Sequence, residues 1–258
     1  MYEFLVDLFS DDKPGQISAF SLWHFIYLFI IISACVITTV ILRKKSDDVV
    51  EKSLNKISIV ILLVYILDFF IMPLSEGSIN TDKLPFHFCT MASILIIFSR
   101  YNERMKKLRP QILAVSMTAT LIYLIYPASA FGDAGALSYQ VIQTLTYHGL
   151  LLLYALVALF TGNVKLDIKK YHYCIFVILF VIAIAFVANY AYSEDLSDPY
   201  DWAFINGENF SIFPDHLKRL MIFAVFFAFS GSTLLFYGIA YYFEKRIQNK
   251  QKCIKKAS

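Results

Sequence analysis

Apolar runs of about 20 residues recur along the whole chain, and this feature restricts the fold more than any other. A run of that length, coiled as an α-helix, crosses the roughly 30 Å hydrocarbon core of a bilayer. Because backbone polar groups in lipid must be satisfied within the segment, the runs predict helices rather than strands. Only 17% of the 258 residues are charged, which leaves too little polar surface for a separate soluble domain.

Seven segments of the chain are candidates for membrane-spanning helices. They are residues 20–42, 57–74, 84–99, 111–126, 138–161, 171–192 and 217–243. The third and fourth segments are near the lower length limit, so we expect them to be little tilted or to start earlier in the preceding loop. The prediction is therefore one all-α, polytopic membrane domain over residues 1–258. It consists of an N-terminal segment (1–18), a seven-helix bundle (19–243) and a basic tail (244–258).

The positions of Lys and Arg predict how the bundle is oriented. Cytoplasmic loops carry an excess of these residues. Most of the 23 Lys and Arg residues fall in every second loop, at 43–56, 100–110 and 162–170, and after residue 243. The other side holds only Lys13, Lys83, Lys218 and Arg219. We therefore expect the N-terminus outside and the C-terminus in the cytoplasm, in a multi-pass protein of the plasma membrane.

Polar side chains within the predicted spans lie mainly near their outer ends. Ionisable groups inside a span are costly and are functional candidates by default. The set comprises His24, Asp68, His87, Cys89, His148 and Asn189. The inner half of the spans has Cys35 and Cys174 but no charged residue well within a helix. This one-sided distribution predicts a polar cavity open to the outer leaflet.

Cys89 is the candidate nucleophile of this cluster. Pro85 is expected in the first turn of its helix, which would place Cys89 near a helix N-terminus, where the dipole favours a thiolate. His87 lies two residues away and points in nearly the opposite direction on a regular helix. The general base is therefore expected from another helix, with His148 as first choice and His24 or His87 as the second.

Supporting roles follow from the same catalytic logic. Asp68 would orient the base, giving a Cys–His–Asp arrangement recognised by roles rather than by sequence order. Helix amides or Asn189 would stabilise an oxyanion. The acidic, aromatic outer loop at 193–216, which holds Trp202, is either a solvated connection with an interfacial aromatic belt or a lid over the cavity.

Structural roles are the competing interpretation for each residue. His24 beside Trp23 is typical of a hydrogen-bonding group at headgroup level. Asp68 and Asn189 suit interhelical hydrogen bonding, and Cys89 suits a small buried apolar residue. Three His, one Cys and one Asp would also suit zinc, but no pair has the i, i+4 spacing of a helical motif. We expect no metal and no cofactor.

Several short motifs resemble those of a known family. "LPFHFC" (84–89) resembles the LPxHxC-type motif of the bacterial YwaF-like integral membrane proteins, and "FSLWHFIYL" (20–28) resembles their FSxxH start. "YP" (126–127), "YHGLLL" (147–152) and "NYAY" (189–192) resemble further features, in the same order. The family is similar to transmembrane protein 164, an acyltransferase that moves polyunsaturated acyl chains onto ether lysophospholipids and is thought to use a cysteine.

The resemblance implies a seven-helix lipid acyltransferase with Cys89 at the motif cysteine. It also implies site roles for His24, His87, His148 and Asn189, and we add Thr90, Tyr190 and Trp202 as expected substrate contacts. The segment "NFSIFPDHLKRL" (209–220) departs from the Trp-Pro-Trp-Tyr-like stretch expected after the outer loop. That departure puts acceptor and acyl-chain specificity in question.

Acyl transfer between lipids is thus the predicted function, with membrane phospholipids and lysophospholipids as partners and no nucleic acid. No nucleotide-binding pattern is present in the sequence. Two rival functions remain open: a small-solute or proton-coupled transporter whose relay is the His and Asp cluster, and a seven-helix ligand sensor. Neither the protein partners nor the oligomeric state follow from the sequence.

Overall fold

The computed structural model of the chain describes residues 17–76, 83–126, 135–193, 200–206 and 212–257. Its longer helices are α1 (Leu22–Leu42), α2 (Asp47–Glu76), α3 (Phe88–Tyr101), α4 (Arg109–Ile125), α5 (Tyr139–Phe160), α6 (His172–Tyr192) and α7 (Met221–Ala257). Shorter helical turns are present at Glu103–Lys106, Ile168–Lys170, Trp202–Phe204 and Asp215–Leu220. The predicted N-terminal segment 1–18 falls almost entirely outside the described residues.

Five of these helices, α1, α2, α5, α6 and α7, are long and apolar enough to cross a membrane. Helices α3 and α4 are apolar but shorter, at 14 and 17 residues. At 1.5 Å per residue α3 is about 21 Å long, which is less than the hydrocarbon core of a bilayer. The predicted all-α polytopic membrane protein is confirmed, whereas the count of seven spans and the orientation of the termini stay predictions.

Two helix boundaries differ from the predicted segments by ten residues or more. Helix α2 begins at Asp47 rather than at residue 57, because the acidic pair Asp47–Asp48 suits a helix N-terminus and Lys52 pairs with Asp48 at 2.8 Å. The predicted tail 244–258 continues helix α7 as far as Ala257.

The expected place of Pro85 in the first turn of α3 was wrong. The amide of Phe86 donates to the carbonyl of Leu84 at 2.8 Å, which makes a tight turn. His87 is then extended and is the N-cap of α3. Pro85 therefore lies two residues before the cap, and Cys89 is the second residue of the helix.

Helix α5 is the centre of the bundle, whereas α1 lies at its edge. In α5, 67% of the most apolar stretch is buried inside the protein, compared with 11% in α1. Helix α5 packs against α1, α2 and α4, and α4 packs in turn against α3, α6 and α7. The α1–α5 contact is close at Gly149, whose carbonyl accepts a hydrogen bond from Cys35 Sγ at 3.6 Å.

Polar groups within the bundle form two layers, one near each end of α2. Asp68 is buried towards the C-terminal end of this helix, and Glu51 lies in its second turn. Seventeen residues separate them, which corresponds to about 25 Å along a helix. The predicted site residues belong to the Asp68 layer, so this end of the bundle contains the candidate site.

Candidate functional site

Cys89 lies in the first turn of α3. Its side chain is half-buried, and the thiol is not in a disulfide. The N-cap residue, His87, makes no side-chain capping bond within the described structure. The first backbone N–H groups of a helix have no intrahelical partner, and they form the positive end of the helix dipole. The Cys89 thiol therefore stands beside uncapped amide donors.

His148, on α5, has a defined proton arrangement. Its Nδ1 lies 2.7 Å from the carbonyl oxygen of Thr144. A carbonyl only accepts hydrogen bonds, so Nδ1 carries the proton and Nε2 of the neutral ring is an acceptor. The buried imidazole stacks on the ring of Tyr123, with centroids 3.7 Å apart, and meets the edge of Tyr147 at 5.4 Å.

Tyr123 and Tyr147 connect Cys89 with His148. The Tyr147 hydroxyl donates to the carbonyl of Cys89 at 3.1 Å. The thiol of Cys89 lies near both phenol groups. The Tyr123 hydroxyl is buried and has no hydrogen-bond partner within the described structure. Cys89 and His148 thus share two aromatic neighbours, one of which presents an unsatisfied hydroxyl.

Sequence reasoning missed both of these tyrosines. Tyr147 is part of the "YHGLLL" motif, which drew attention to the adjacent histidine only. Tyr123 has no such signal, because one tyrosine in an apolar run is typical of any membrane helix. Only the packing of α4 against α5 places the Tyr123 ring on the imidazole of His148.

Asp68 is buried at the same end of the bundle, and its described partners are not histidines. Tyr139 Oη donates to Asp68 Oδ1 at 2.8 Å, and Lys83 Nζ lies 3.6 Å from Asp68 Oδ2. The carbonyl of Lys83 accepts a hydrogen bond from Tyr65 Oη at 2.9 Å. A direct orienting contact from Asp68 to a histidine base therefore stays a prediction.

Lys83 is a second residue that the sequence analysis left out of the site. It precedes α3 in a loop and was counted only for orientation. Its ammonium group interacts electrostatically with both His87 and His148, besides pairing with Asp68. Lys83 therefore places a positive charge beside the buried carboxylate of Asp68.

His87 contacts the loop that holds Trp202. The backbone N–H of Ala203 donates to His87 Nδ1 at 3.2 Å, and the Phe204 ring lies 5.6 Å from the imidazole, between centroids. Because Nδ1 accepts, the neutral ring carries its proton on Nε2. In this state His87 offers a donor rather than a base.

His24 has both ring nitrogens engaged. It is fully buried, its Nε2 donates to the carbonyl of Leu124 at 2.8 Å, and its Nδ1 accepts from the N–H of Phe20 at 3.0 Å. Phe20 has a φ of 64°, a left-handed conformation that non-glycine residues rarely adopt. His24 thus ties the start of α1 to the end of α4, and substrate contact would require one of these bonds to break.

The side chain of Asn189 makes two hydrogen bonds to the backbone of Trp202. Its Oδ1 accepts from the Trp202 N–H at 2.8 Å, and its Nδ2 donates to the Trp202 carbonyl at 3.2 Å. Trp202 is 1% exposed and stacks on Tyr200 at 4.6 Å, although its indole N–H has no partner within the described structure. The following residues, Ala203 and Phe204, have φ values of 63° and 57°. The described part of this loop, residues 200–206, is therefore inserted into the bundle.

Two further predicted contacts take different positions. Thr90 is half-buried, and its hydroxyl donates to the carbonyl of His87 at 3.1 Å, so it lies beside Cys89. Tyr190 packs against Phe186 on the outer surface of α6, with ring centroids 5.0 Å apart. The structure brings Thr90 to the candidate site but shows Tyr190 on the surface of the bundle.

An apolar groove of about 440 Å³ runs along the outer surface of α6 and ends beside Phe86. Phe86 precedes Cys89 by three residues, and its ring packs against Tyr192 and Trp202. The lining consists of Phe86, Phe180, Ala183, Ile184, Val187, Ala188, Ala191 and Tyr192. A groove of this volume and lining suits an aliphatic chain.

The part of the chain that the structure describes contains no set of ligands for zinc. No three His, Cys, Asp or Glu side chains there lie close enough together to hold a metal ion. The candidate site consists of histidines, one thiol and tyrosine hydroxyls beside the Asp68–Lys83 pair.

Comparison with known proteins gives one match. A family model described as the TMEM164 family matches residues 19–241, which is most of the chain. No curated protein and no solved structure matches the sequence.

Proposed function

The chain belongs to the TMEM164 family of membrane proteins, and on that premise we propose that it is a lipid acyltransferase. The proposed reaction moves a fatty acyl chain from a phospholipid to a lysophospholipid through a thioester on Cys89. The motif resemblance also supports placing the chain among the bacterial YwaF-like members, with the plasma membrane as its location. The proposed orientation puts the Cys89 end of the bundle at the outer leaflet.

One observation carries the proposal: Cys89 lies in the uncapped first turn of α3, beside the tyrosines that pack on His148. A thiol at a helix N-terminus is the usual setting of a reactive cysteine. His148, with its proton on Nδ1, has Nε2 free to accept a second one. The two groups supply a nucleophile and a base from different helices.

The first half-reaction forms the thioester. His148 Nε2 takes the proton of the Cys89 thiol, and the sulfur attacks the carbonyl carbon of the donor ester. The negative charge that develops on the carbonyl oxygen is stabilised by the free first-turn amides of α3. The carbon–oxygen ester bond then breaks, and the imidazolium protonates the departing alkoxide oxygen, which becomes the hydroxyl of the released lysolipid.

The second half-reaction runs the same steps with a different lysolipid. His148 Nε2 takes the proton of the acceptor hydroxyl, whose oxygen attacks the thioester carbonyl. The carbon–sulfur bond breaks, and the Cys89 thiolate regains the proton from the imidazolium. Donor and acceptor are both lipids, so they enter sideways from the bilayer, and the reaction balances without a nucleotide.

The remaining parts of the site receive roles in substrate binding. The groove beside Phe86 would hold the acyl chain, and the unpartnered Tyr123 hydroxyl would donate to the ester. Asn189 acts indirectly in this proposal, because both ends of its amide hold Trp202. Trp202 and its loop would cover the site until a lipid enters.

Intact-protein mass spectrometry tests the proposal directly. The purified full-length protein is incubated with mixed phospholipids and compared with Cys89→Ser. We expect a hydroxylamine-sensitive acyl adduct on the wild type that is absent from the variant, together with loss of lipid turnover. The mass of the adduct identifies the acyl chain.

Cys35→Ser is the matched control. Cys35 is a buried thiol on α1 whose Sγ donates to a carbonyl, a bond that a serine hydroxyl also makes. This variant should keep both adduct and turnover. Unchanged turnover in Cys89→Ser, with no adduct in the wild type, would overturn the cysteine mechanism and favour a transporter or a sensor.

A further inference from the structure

Two buried arginines meet at the end of the bundle opposite Cys89. Arg100 is near the end of α3, and Arg109 is the first residue of α4; their side chains are 6% and 10% exposed. Arg100 Nη1 and Arg109 Nη2 each donate to the hydroxyl of Tyr154 at 3.1 Å. We name Arg100, Arg109 and Tyr154 the arginine cluster.

The described acidic partners of the arginine cluster are too few to balance its two positive charges. Its described acidic partner is Glu51, which lies 2.8 Å from Arg100 Nη2 and 3.9 Å from Arg109 Nη2. This carboxylate is 48% exposed and also accepts from Asn163 Nδ2 at 2.8 Å. Two guanidinium groups thus share one half-hydrated carboxylate, and a buried charge without compensation costs several kcal/mol.

Unused donors accompany the excess charge. The Nε atoms of Arg100 and Arg109 are both buried and have no hydrogen-bond partner within the described structure. The Tyr154 hydroxyl accepts from both arginines and keeps its own hydrogen to donate. Buried charge and unused donors converge on one place.

We propose that the arginine cluster is a binding site for a phosphate group. Guanidinium groups bind phosphate through paired N–H donors, and the tetrahedral anion accepts from two arginines and a hydroxyl at once. Basic pockets between membrane helices on the cytoplasmic side are typical sites for anionic lipid headgroups. The phosphate belongs either to such a headgroup or to free phosphate, and this site is separate from the proposed acyl-transfer site.

Thermal unfolding of the full-length protein in lipid nanodiscs tests the site and identifies the source. The Tm is measured in phosphatidylcholine alone, in phosphatidylcholine with phosphatidylglycerol, and in phosphatidylcholine with added inorganic phosphate. A Tm higher by several degrees with phosphatidylglycerol only assigns the site to a lipid headgroup. An increase with inorganic phosphate alone assigns it to free phosphate, and no increase with either overturns the proposal.

Charge-matched variants connect the shift to the arginine cluster. Arg100→Gln and Arg109→Gln should abolish it, whereas Lys106→Gln should keep it, because Lys106 is exposed and lies between the two arginines in sequence. If Lys106→Gln loses the shift equally, the effect is general surface charge and the proposal fails.

The Glu51→Gln variant tests the phosphate site even if the arginine variants do not fold. Removing the competing carboxylate should lower the Tm in phosphatidylcholine and enlarge the shift that the bound phosphate gives. The matched control is Glu103→Gln, because Glu103 is an exposed carboxylate near the same end of the bundle. If Glu51→Gln lowers the Tm equally in all three conditions, Glu51 and the two arginines form a purely structural ion network. That result would overturn the proposal.

Discussion

The ring of Tyr123 lies parallel to the imidazole of His148, with centroids 3.7 Å apart and 8° between the planes. This stack sets the position of the imidazole, while the carbonyl of Thr144 sets its proton. The Tyr123 hydroxyl has no described partner although it is buried. A buried hydroxyl without a partner is destabilising, so its retention is consistent with a role towards a ligand.

Tyr123→Phe separates these two roles of the side chain. We expect unchanged or slightly higher stability, by up to about 1 kcal/mol, because the unsatisfied hydroxyl is removed and the ring stack stays. Lipid turnover should fall roughly tenfold, which corresponds to the loss of one hydrogen bond of about 1.4 kcal/mol to substrate. Thermal unfolding and a lipid acyl-exchange assay measure the two effects.

Tyr27→Phe is the control for Tyr123→Phe. The Tyr27 hydroxyl donates to the carbonyl of Ala136 at 2.6 Å, so its loss should lower stability by about 1 kcal/mol. If Tyr123→Phe lowered stability as much as Tyr27→Phe does, this result would contradict the conclusion that the Tyr123 hydroxyl has no hydrogen-bond partner.

The Asp68–Lys83 pair predicts an unequal response to the loss of either partner. Lys83→Met should cost about 3 kcal/mol, because it leaves a carboxylate with a 3% exposed side chain without its cation. Asp68→Asn should cost less, because the partly exposed Lys83 ammonium can turn to water. The double variant should cost less than the sum of both. The free energy of unfolding in detergent measures all three.

Lys106→Met is the surface counterpart of Lys83→Met. Lys106 pairs with Glu103 at 3.4 Å on the exposed surface, so its loss should cost no more than about 0.5 kcal/mol. If Lys83→Met and Lys106→Met lowered the free energy of unfolding by similar amounts, this result would contradict the pairing of Lys83 with a buried carboxylate.

Asn189→Leu should release Trp202 from the bundle. The variant leaves the N–H and C=O of Trp202 without partners in a buried place, at a cost of about 2 kcal/mol or more. The sequence has two tryptophans, so a Trp23→Phe background makes the fluorescence specific for Trp202. Acrylamide should then quench the emission more strongly than in the Trp23→Phe parent.

Asn55→Leu tests whether that response is specific. Asn55 is half-buried on α2 and accepts from Tyr101 Oη at 2.8 Å, near the end of the bundle that holds Glu51. Its substitution should leave Trp202 quenching unchanged. Equal quenching in both variants would show general loosening of the bundle.

Gly149 allows α1 and α5 to approach closely. A Cβ atom at this position would lie 3.2 Å from Ile31 Cγ2 and 3.3 Å from Ile31 Cγ1. Gly149→Ala should therefore lower stability by about 1–3 kcal/mol through overpacking. It should also reduce turnover, because the neighbouring residue is His148. Thermal unfolding and the acyl-exchange assay measure the variant.

Gly231→Ala provides the comparison for Gly149→Ala. A Cβ atom there meets nothing within 4 Å, so the gain in helix propensity should leave stability equal or higher. A lower Tm for this variant than for Gly149→Ala would contradict the close α1–α5 contact.

The sequence by itself determined the class of fold and predicted the region of the candidate site. Apolar runs have one stable form in lipid, because only a helix satisfies its backbone locally, and this is why α1, α5 and α6 begin and end within two residues of their predictions. The cost of placing a polar group within a span, which can be judged from its position in the sequence, pointed to His148 and Cys89. Helix starts that depend on capping and turns were less predictable. Pro85, for example, lies before α3 rather than in its first turn.

Tertiary structure alone decided which polar groups meet. The partners of Asp68 are Tyr139 and Lys83, and the partner of Asn189 is the backbone of Trp202. Arg100 and Arg109, which were counted only as charges for orientation, converge on Tyr154. Such contacts depend on how each helix is rotated and packed against its neighbours. That rotation results from many weak interactions across the bundle, and no local stretch of sequence encodes it.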